Sequence, residues 1–197
     1  MVFLERKTKE TEISLKLTLT GKGKSEIETG LGFFDHMLTL MNRHGFLDME
    51  LFVKGDLNVD EHHTVEDVGI VFGQALKKAL GDKGGIRRYG EVTIPMDEVL
   101  VQVVLDLSGR PYYLDDLSFS REQVGDFPVE LTGEFFRALA SNAGMTLHIR
   151  VLRNGNTHHL IEACFKAFGK ALDLAISPEP RLNEQPLSTK GSLGEGE

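Results

Sequence analysis

Asp60-Glu61-His62-His63-Thr64-Val65-Glu66-Asp67 has a second version near the end of the chain, His158-His159-Leu160-Ile161-Glu162-Ala163. The two copies take up four of the seven histidines. On a helix, residues three or four apart share a face, while adjacent residues point about 100° apart. His62 and Glu66 then face one way, with His63 turned aside. Two neighbouring helical histidines do not easily share one metal ion. They can serve two ions or two different surfaces. Imidazole and carboxylate without thiolate suit Mn, Fe, Co or Zn.

Working outward, the segments before each motif also match. Residues 13–20 alternate Ile13, Leu15, Leu17 and Leu19 against polar neighbours, a half-buried strand. Residues 24–28 form a short second strand after the Gly21-Lys22-Gly23 turn. Residues 30–44 carry Phe33, Phe34, Met37, Leu38 and Met41 at helical spacing, with Gly45 to close the helix. A strand over 46–53 leads to the first motif. Val68, Val71, Phe72, Ala75 and Leu76 then continue an amphipathic helix. The second half repeats this order: strands over 99–107 and 112–117, a loop over 118–127, a helix over 131–143, a strand over 145–152, and the second motif's helix to about 176. Phe33-Phe34-Asp35-His36-Met37-Leu38 parallels Glu134-Phe135-Phe136-Arg137-Ala138-Leu139.

The fold expected is α+β: an internal duplication of a β-β-α-β-α half, each half an antiparallel-rich sheet covered on one face by two helices. Residues 1–90 form the first half-repeat, 91–177 the second and 178–197 a tail. Three prolines with several glycines and serines mark that tail as a frayed end by composition.

The composition fits a globular chain of 197 residues, 41% hydrophobic and 26% charged. A formal charge of −8 argues against non-specific nucleic-acid binding but leaves room for a small anion held by local arginines. The single Cys164, inside a helical run, reads as a buried inert thiol. The N-terminus turns polar too soon for a signal peptide, and no stretch approaches a membrane span, so a cytoplasmic protein is expected.

The duplication pairs His36, His62, His63 and Glu66 with Glu134, His158, His159 and Glu162. Eight donors divide into four for each of two metals, and an octahedral ion with four protein ligands keeps two positions open. Spacing alone leaves the pairing of ligands, within or between chains, undecided. His44 reads as a cation at a helix C-terminus, and His148 as an outward residue of a strand.

Together with Asp106-Leu107-Ser108-Gly109-Arg110-Pro111 and Gly144-Met145-Thr146-Leu147-His148, these stretches make the chain resemble the imidazoleglycerol-phosphate dehydratase family of histidine biosynthesis. The match runs in order over nearly the whole chain. The resemblance implies two Mn ions per active site, or another divalent first-row metal, held by the eight donors just named. It implies a homo-oligomer, a 24-subunit shell built from trimers, with active sites at subunit interfaces, helices between two four-stranded sheets, and no nucleic-acid or membrane partner. It implies Glu10 as general base, and Arg88, Arg110, Ser188 and Lys190 as contacts to the substrate phosphate. The tail then becomes a lid ordered over bound substrate. Two positions depart from the family pattern: Glu134 stands where several members have His, and Leu40 where many have Gln.

The reaction so implied converts D-erythro-imidazole glycerol phosphate to imidazole acetol phosphate. The proton lost has no neighbouring carbonyl, and the hydroxyl is a poor leaving group. The imidazole ring is the available electron store. Metals on both ring nitrogens favour its deprotonated form, as they lower the pKa of bound water. A ring so charged expels the hydroxyl, and a carboxylate base completes the step. A dinuclear metallohydrolase of a phosphate ester would use the same donors, and a shell-forming assembly with structural metals is the non-enzymatic rival.

Overall fold

The computed structural model describes residues 1–193. Its first half runs β1 (Val2–Lys7), β2 (Thr11–Thr18), β3 (Ser25–Glu28), α1 (Gly32–His44), β4 (Asp48–Gly55) and α2 (His62–Leu80). The second runs β5 (Tyr89–Met96), β6 (Val99–Asp106), β7 (Tyr112–Asp115), the two-residue strands β8 (Gln123–Val124) and β9 (Phe127–Pro128), α3 (Leu131–Ala143), β10 (Thr146–Arg153) and α4 (Thr157–Ile176). A 3-10 turn, Pro180–Leu182, follows.

The sheets have the same topology, β1-β2-β4-β3 and β5-β6-β10-β7. In each, the first three strands pair antiparallel and the last lies parallel to its neighbour. The duplication is therefore α+β with two four-stranded sheets, as expected. The second half adds the short β8–β9 pair. Each four-stranded sheet is one strand richer than the β-β-α-β-α pattern, because β1 and β5 open the halves. Their alternation is hard to read. β1 turns Arg6 inward and Phe3 outward, and β5 contains Pro95. Both are edge strands, where proline is tolerated.

The layers follow from which faces are apolar. Ile13, Leu15, Leu17, Met49 and Leu51 bury one sheet's inner face, and Val101, Val103, Leu105, Leu147 and Ile149 the other's. Helix α2 packs on β1, β2 and β4, and α4 on β5 and β6. The helix layers then meet as α1 against α4 and α2 against α3, which places the helices between the sheets. Glycines permit the close approach. A Cβ on Gly69 would lie 2.7 Å from the Phe135 carbonyl oxygen, and one on Gly73 2.6 Å from that of Leu139.

Gly45 closes α1 as expected, its amide donating to the Met41 carbonyl at 2.9 Å, and also has a similar packing role. Its φ is −86°, and the left-handed residue is Phe46. A Cβ on Gly45 would lie 3.0 Å from the Gly169 carbonyl oxygen, so the glycine brings α1 onto α4. The described part of the tail is not frayed where it leaves α4; residues 194–197 of the expected tail lie outside the described residues. Bridges pair Gly84 with Pro186 and Ile86 with Pro178, and the Glu179 amide donates to the Gly85 carbonyl at 2.7 Å.

Candidate functional site

Both His-His motifs begin helices, and each start is capped by a side chain. The Asp60 carboxylate accepts from the His62 amide at 2.9 Å, and the Asn156 carbonyl from the His158 amide at 2.9 Å. These caps satisfy amides that a helix start leaves unpaired. They also fix where the imidazoles leave the backbone.

The second motif gathers donors from two helices. His36 from α1 and His158 and Glu162 from α4 have donor atoms all within 4.8 Å of one another. His158 Nε2 lies 3.2 Å and His36 Nε2 3.9 Å from Glu162 Oε2. The other oxygen, Oε1, accepts from Lys166 Nζ at 2.5 Å. Burial alone would raise the carboxyl's pKa. The hydrogen bond and charge of Lys166, with a smaller contribution from His158, bring it below the usual value instead. The Phe33 ring stands edge-on to His158, centroids 5.2 Å apart. Phe127, on β9, backs Phe33 from the other side at 5.5 Å. The segment expected to be plain loop thus supports a site histidine.

The first motif is more open. His62 Nε2 lies 3.8 Å from Glu66 Oε2, and both side chains are half exposed. His63 points elsewhere, as the helical spacing requires. Its Nδ1 meets Asp56 Oδ2 at 3.0 Å, and its Nε2 lies 3.9 Å from Glu10 Oε1. His159 repeats that arrangement, with Nδ1 3.0 Å from Glu98 Oε2 and Nε2 3.9 Å from Asp97 Oδ2. In both, a carboxylate at Nδ1 orients the ring and leaves Nε2 outward, the arrangement that prepares histidine as a metal ligand. Asp97 and Glu98 with His159 form a second group of donor atoms within 4.8 Å of one another. Glu134 stays apart from these groups and makes an ion pair with Arg137 at 3.6 Å. Among the described residues, then, no four of the eight expected ligands converge within the single chain.

Arg88 Nε and Nη2 donate to the two Asp106 carboxylate oxygens at 2.7 and 2.9 Å, and Nη1 donates to the Leu187 carbonyl at 2.7 Å. That last bond ties the tail down. It leaves Ser188 and Lys190 lining one cavity with Arg88 and Arg110, of about 1070 Å³.

Three readings change or gain detail. His44 lies in the last turn of α1, as expected, but burial, then the charges of Lys166 and Lys170, lower its pKa. Cys164 is fully buried, and burial pushes its thiol pKa up. Leu40 packs, partly buried, against the core. Sequence reasoning missed Lys166, although its place one turn after Glu162 was a usable signal. It also missed Asp67, whose partners lie on distant strands.

Fold and site together define a class: duplicated α+β proteins whose two sheet-and-helix halves each carry a capped His-His-x-x-Glu helix start. Residues 29–172 match the family described as imidazoleglycerol-phosphate dehydratase. Curated relatives of that name include one from Acetivibrio thermocellus, 57% identical over 190 residues, covering 96% of this chain and 97% of the relative. Another, from Desulfitobacterium hafniense, is 54% identical over 191 residues, 97% of each chain. Among solved structures, imidazoleglycerol-phosphate dehydratase from Staphylococcus aureus superposes with a TM-score of 0.81 at 45% identity, over 91% of this chain and all of that one. The corresponding structure from Pyrococcus furiosus gives 0.83 at 37%, over 96% of this chain and all of that one. The chain belongs to the imidazoleglycerol-phosphate dehydratase family. Among the described residues, no helix is long and apolar enough to cross a membrane.

Proposed function

We propose that this chain catalyses the metal-dependent dehydration of D-erythro-imidazole glycerol phosphate to imidazole acetol phosphate, in histidine biosynthesis, in the cytoplasm. Family membership supports the reaction. The observation that carries the metal dependence is the cluster of His36, His158 and Glu162, an N/O donor set that fits Mn or a related divalent ion. His62, Glu66 and Glu134, with His63 and His159 projecting outward, would complete the pair of sites across subunit contacts. Bound metal would supply Lewis acidity to the imidazole of the substrate.

The protein's own groups do the rest. Asp56 and Glu98 hold His63 and His159 with Nε2 outward. Glu10, half exposed at the β1–β2 turn, takes the proton from the carbon next to the departing hydroxyl. That proton is acidic enough to take once the ring's electrons have expelled the hydroxyl; the pair left behind returns to the ring, and the enol formed becomes the ketone. Arg88 is held by Asp106, so its remaining N–H groups are fixed donors for phosphate, and Arg110, with Ser188 and Lys190 from the tail, lines the same cavity.

The assay is ketone formation from imidazole glycerol phosphate without phosphate release, using Mn-loaded protein. Glu10→Gln should bind Mn and substrate normally and lose turnover by roughly two to four decades. Retained turnover would remove Glu10 from the reaction, and release of inorganic phosphate would favour the metallohydrolase.

A further inference from the structure

Asp67 follows Glu66 on α2 but faces the opposite way, into the protein, where its side chain is 8% exposed. One of its oxygens, Oδ2, accepts both from Arg6 on β1 and from the Thr11 hydroxyl at the start of β2. Those residues flank the turn that carries Glu10. The turn is closed by Thr8, whose hydroxyl accepts from the Glu10 and Thr11 amides at 3.1 and 3.0 Å. The helix bearing His62, His63 and Glu66 is thus joined to the hairpin bearing Glu10 through a single buried oxygen.

The duplication supplies an internal control. Strand register and motif alignment set Arg6, Thr11 and Asp67 against Ile94, Val99 and Ala163 in the second half. All three are apolar: Val99 and Ala163 are buried in the core, and Ile94 packs against it, partly buried. The fold accepts an apolar triad there, and a buried ion pair is no more stabilising than well-packed apolar side chains of similar size. Stability alone therefore does not explain the polar triad. What differs is the duty of the hairpin glutamate. Before Val99, Glu98 itself ties the β5–β6 hairpin to α4, accepting from the Asn156 amide at 2.6 Å and meeting His159 at 3.0 Å. Before Thr11, the Glu10 carboxylate has, among the described residues, only its 3.9 Å approach to His63.

We infer that Asp67, with Arg6 and Thr11, is a positioning clamp that ties the hairpin to α2 and so releases Glu10 from structural duty, leaving its carboxylate available as the base. The inference rests on the reading of Glu10 given above.

The test transplants the second half's solution. Arg6→Ile, Thr11→Val and Asp67→Ala are made together in the full chain. Expected is a folded protein with an unchanged or higher Tm and Mn binding within about twofold of the parent. Hydrogen exchange at the Glu10 and Thr11 amides should be faster, with and without Mn. Turnover should fall about tenfold or more with KM little changed, since small misplacements of a reacting group cost that much. Thr11→Val alone should show the same signs more weakly, and serves if the triple variant does not fold. Thr11→Ser, which keeps the donor, should behave as the parent. Unchanged hairpin exchange, or a turnover loss matched by lost Mn, overturns the clamp. If Glu10→Gln is itself fully active, the base reading falls and takes the clamp's catalytic purpose with it. Loss of activity in Glu10→Gln beside a fully active triple variant overturns the clamp alone.

Discussion

At the scale of single residues, two histidines are driven in opposite directions by their surroundings. The hydrogen bond to Asp56 raises the pKa of His63, with Glu10 adding to it against a smaller effect of burial. Burial lowers that of His44, with Lys166 and Lys170 adding to it. The signs for stability are therefore opposite. His63 contributes stability that is present below its unfolded value and is lost as pH rises through the raised folded value. His44 contributes stability that is present above its unfolded value and is lost as pH falls through the lowered folded value. In the metal-free chain, ring-proton NMR titration should place His63 above and His44 below the ordinary histidine value of about 6.5. Asp56→Asn should bring His63 back toward that value and leave His44 where it was. A His63 midpoint indifferent to Asp56 would contradict the assignment.

At the scale of elements, the α2–α3 contact decides how closely the two halves can meet. Gly69 sits in the middle of α2, where alanine is the better helix former by about 1 kcal/mol. Yet a Cβ there would press on the Phe135 carbonyl and on the Ala138 methyl at 2.9 Å. A backbone carbonyl in a packed helix cannot swing away, and overpacking of this kind costs about 1–3 kcal/mol. Gly69→Ala should thus destabilise the chain by roughly 1–2 kcal/mol, read as a Tm several degrees lower. This contact also marks the limit of what the sequence shows. The far ends of α3 and α4, at Ala143 and Ile176, were legible because their apolar period is strong and stops sharply. β1 and β5 were not, since one places Arg6 inside and the other carries a proline. The paired His-His-x-x-Glu helix starts were legible because the motif occurs twice. The supports were hidden because each depends on which strand or loop comes to lie against a helix: Asp67 meets Arg6 and Thr11, Glu98 meets His159, and Phe127 backs Phe33.

At the scale of the whole molecule, the question is where the other donors of the proposed metal sites come from. His36, His158 and Glu162 converge, whereas His63 and His159 present Nε2 away from that group, each beside its own carboxylates. The sheets' outer faces also expose Phe3 and Phe52 on one side and Tyr89, Tyr112 and Leu114 on the other. Large exposed apolar side chains of this kind suit subunit contacts. The proposed sharing of sites between subunits of a homo-oligomer makes a prediction that a site confined to one chain does not. His158→Ala and His63→Ala should each abolish turnover alone. In mixed oligomers, a site that draws His158 from one chain and His63 from its neighbour finds both intact when the two variants meet in the right order. Random mixing restores about one such site in four. Dissociating the two inactive variants, mixing them in equal amounts and reassembling them with Mn should then recover a corresponding fraction of parental turnover. The recovery should fall as one variant is made to dominate the mixture. No recovery, from mixtures shown by mass spectrometry to contain both chains, would place His63 and His158 in sites that do not cross the subunit boundary.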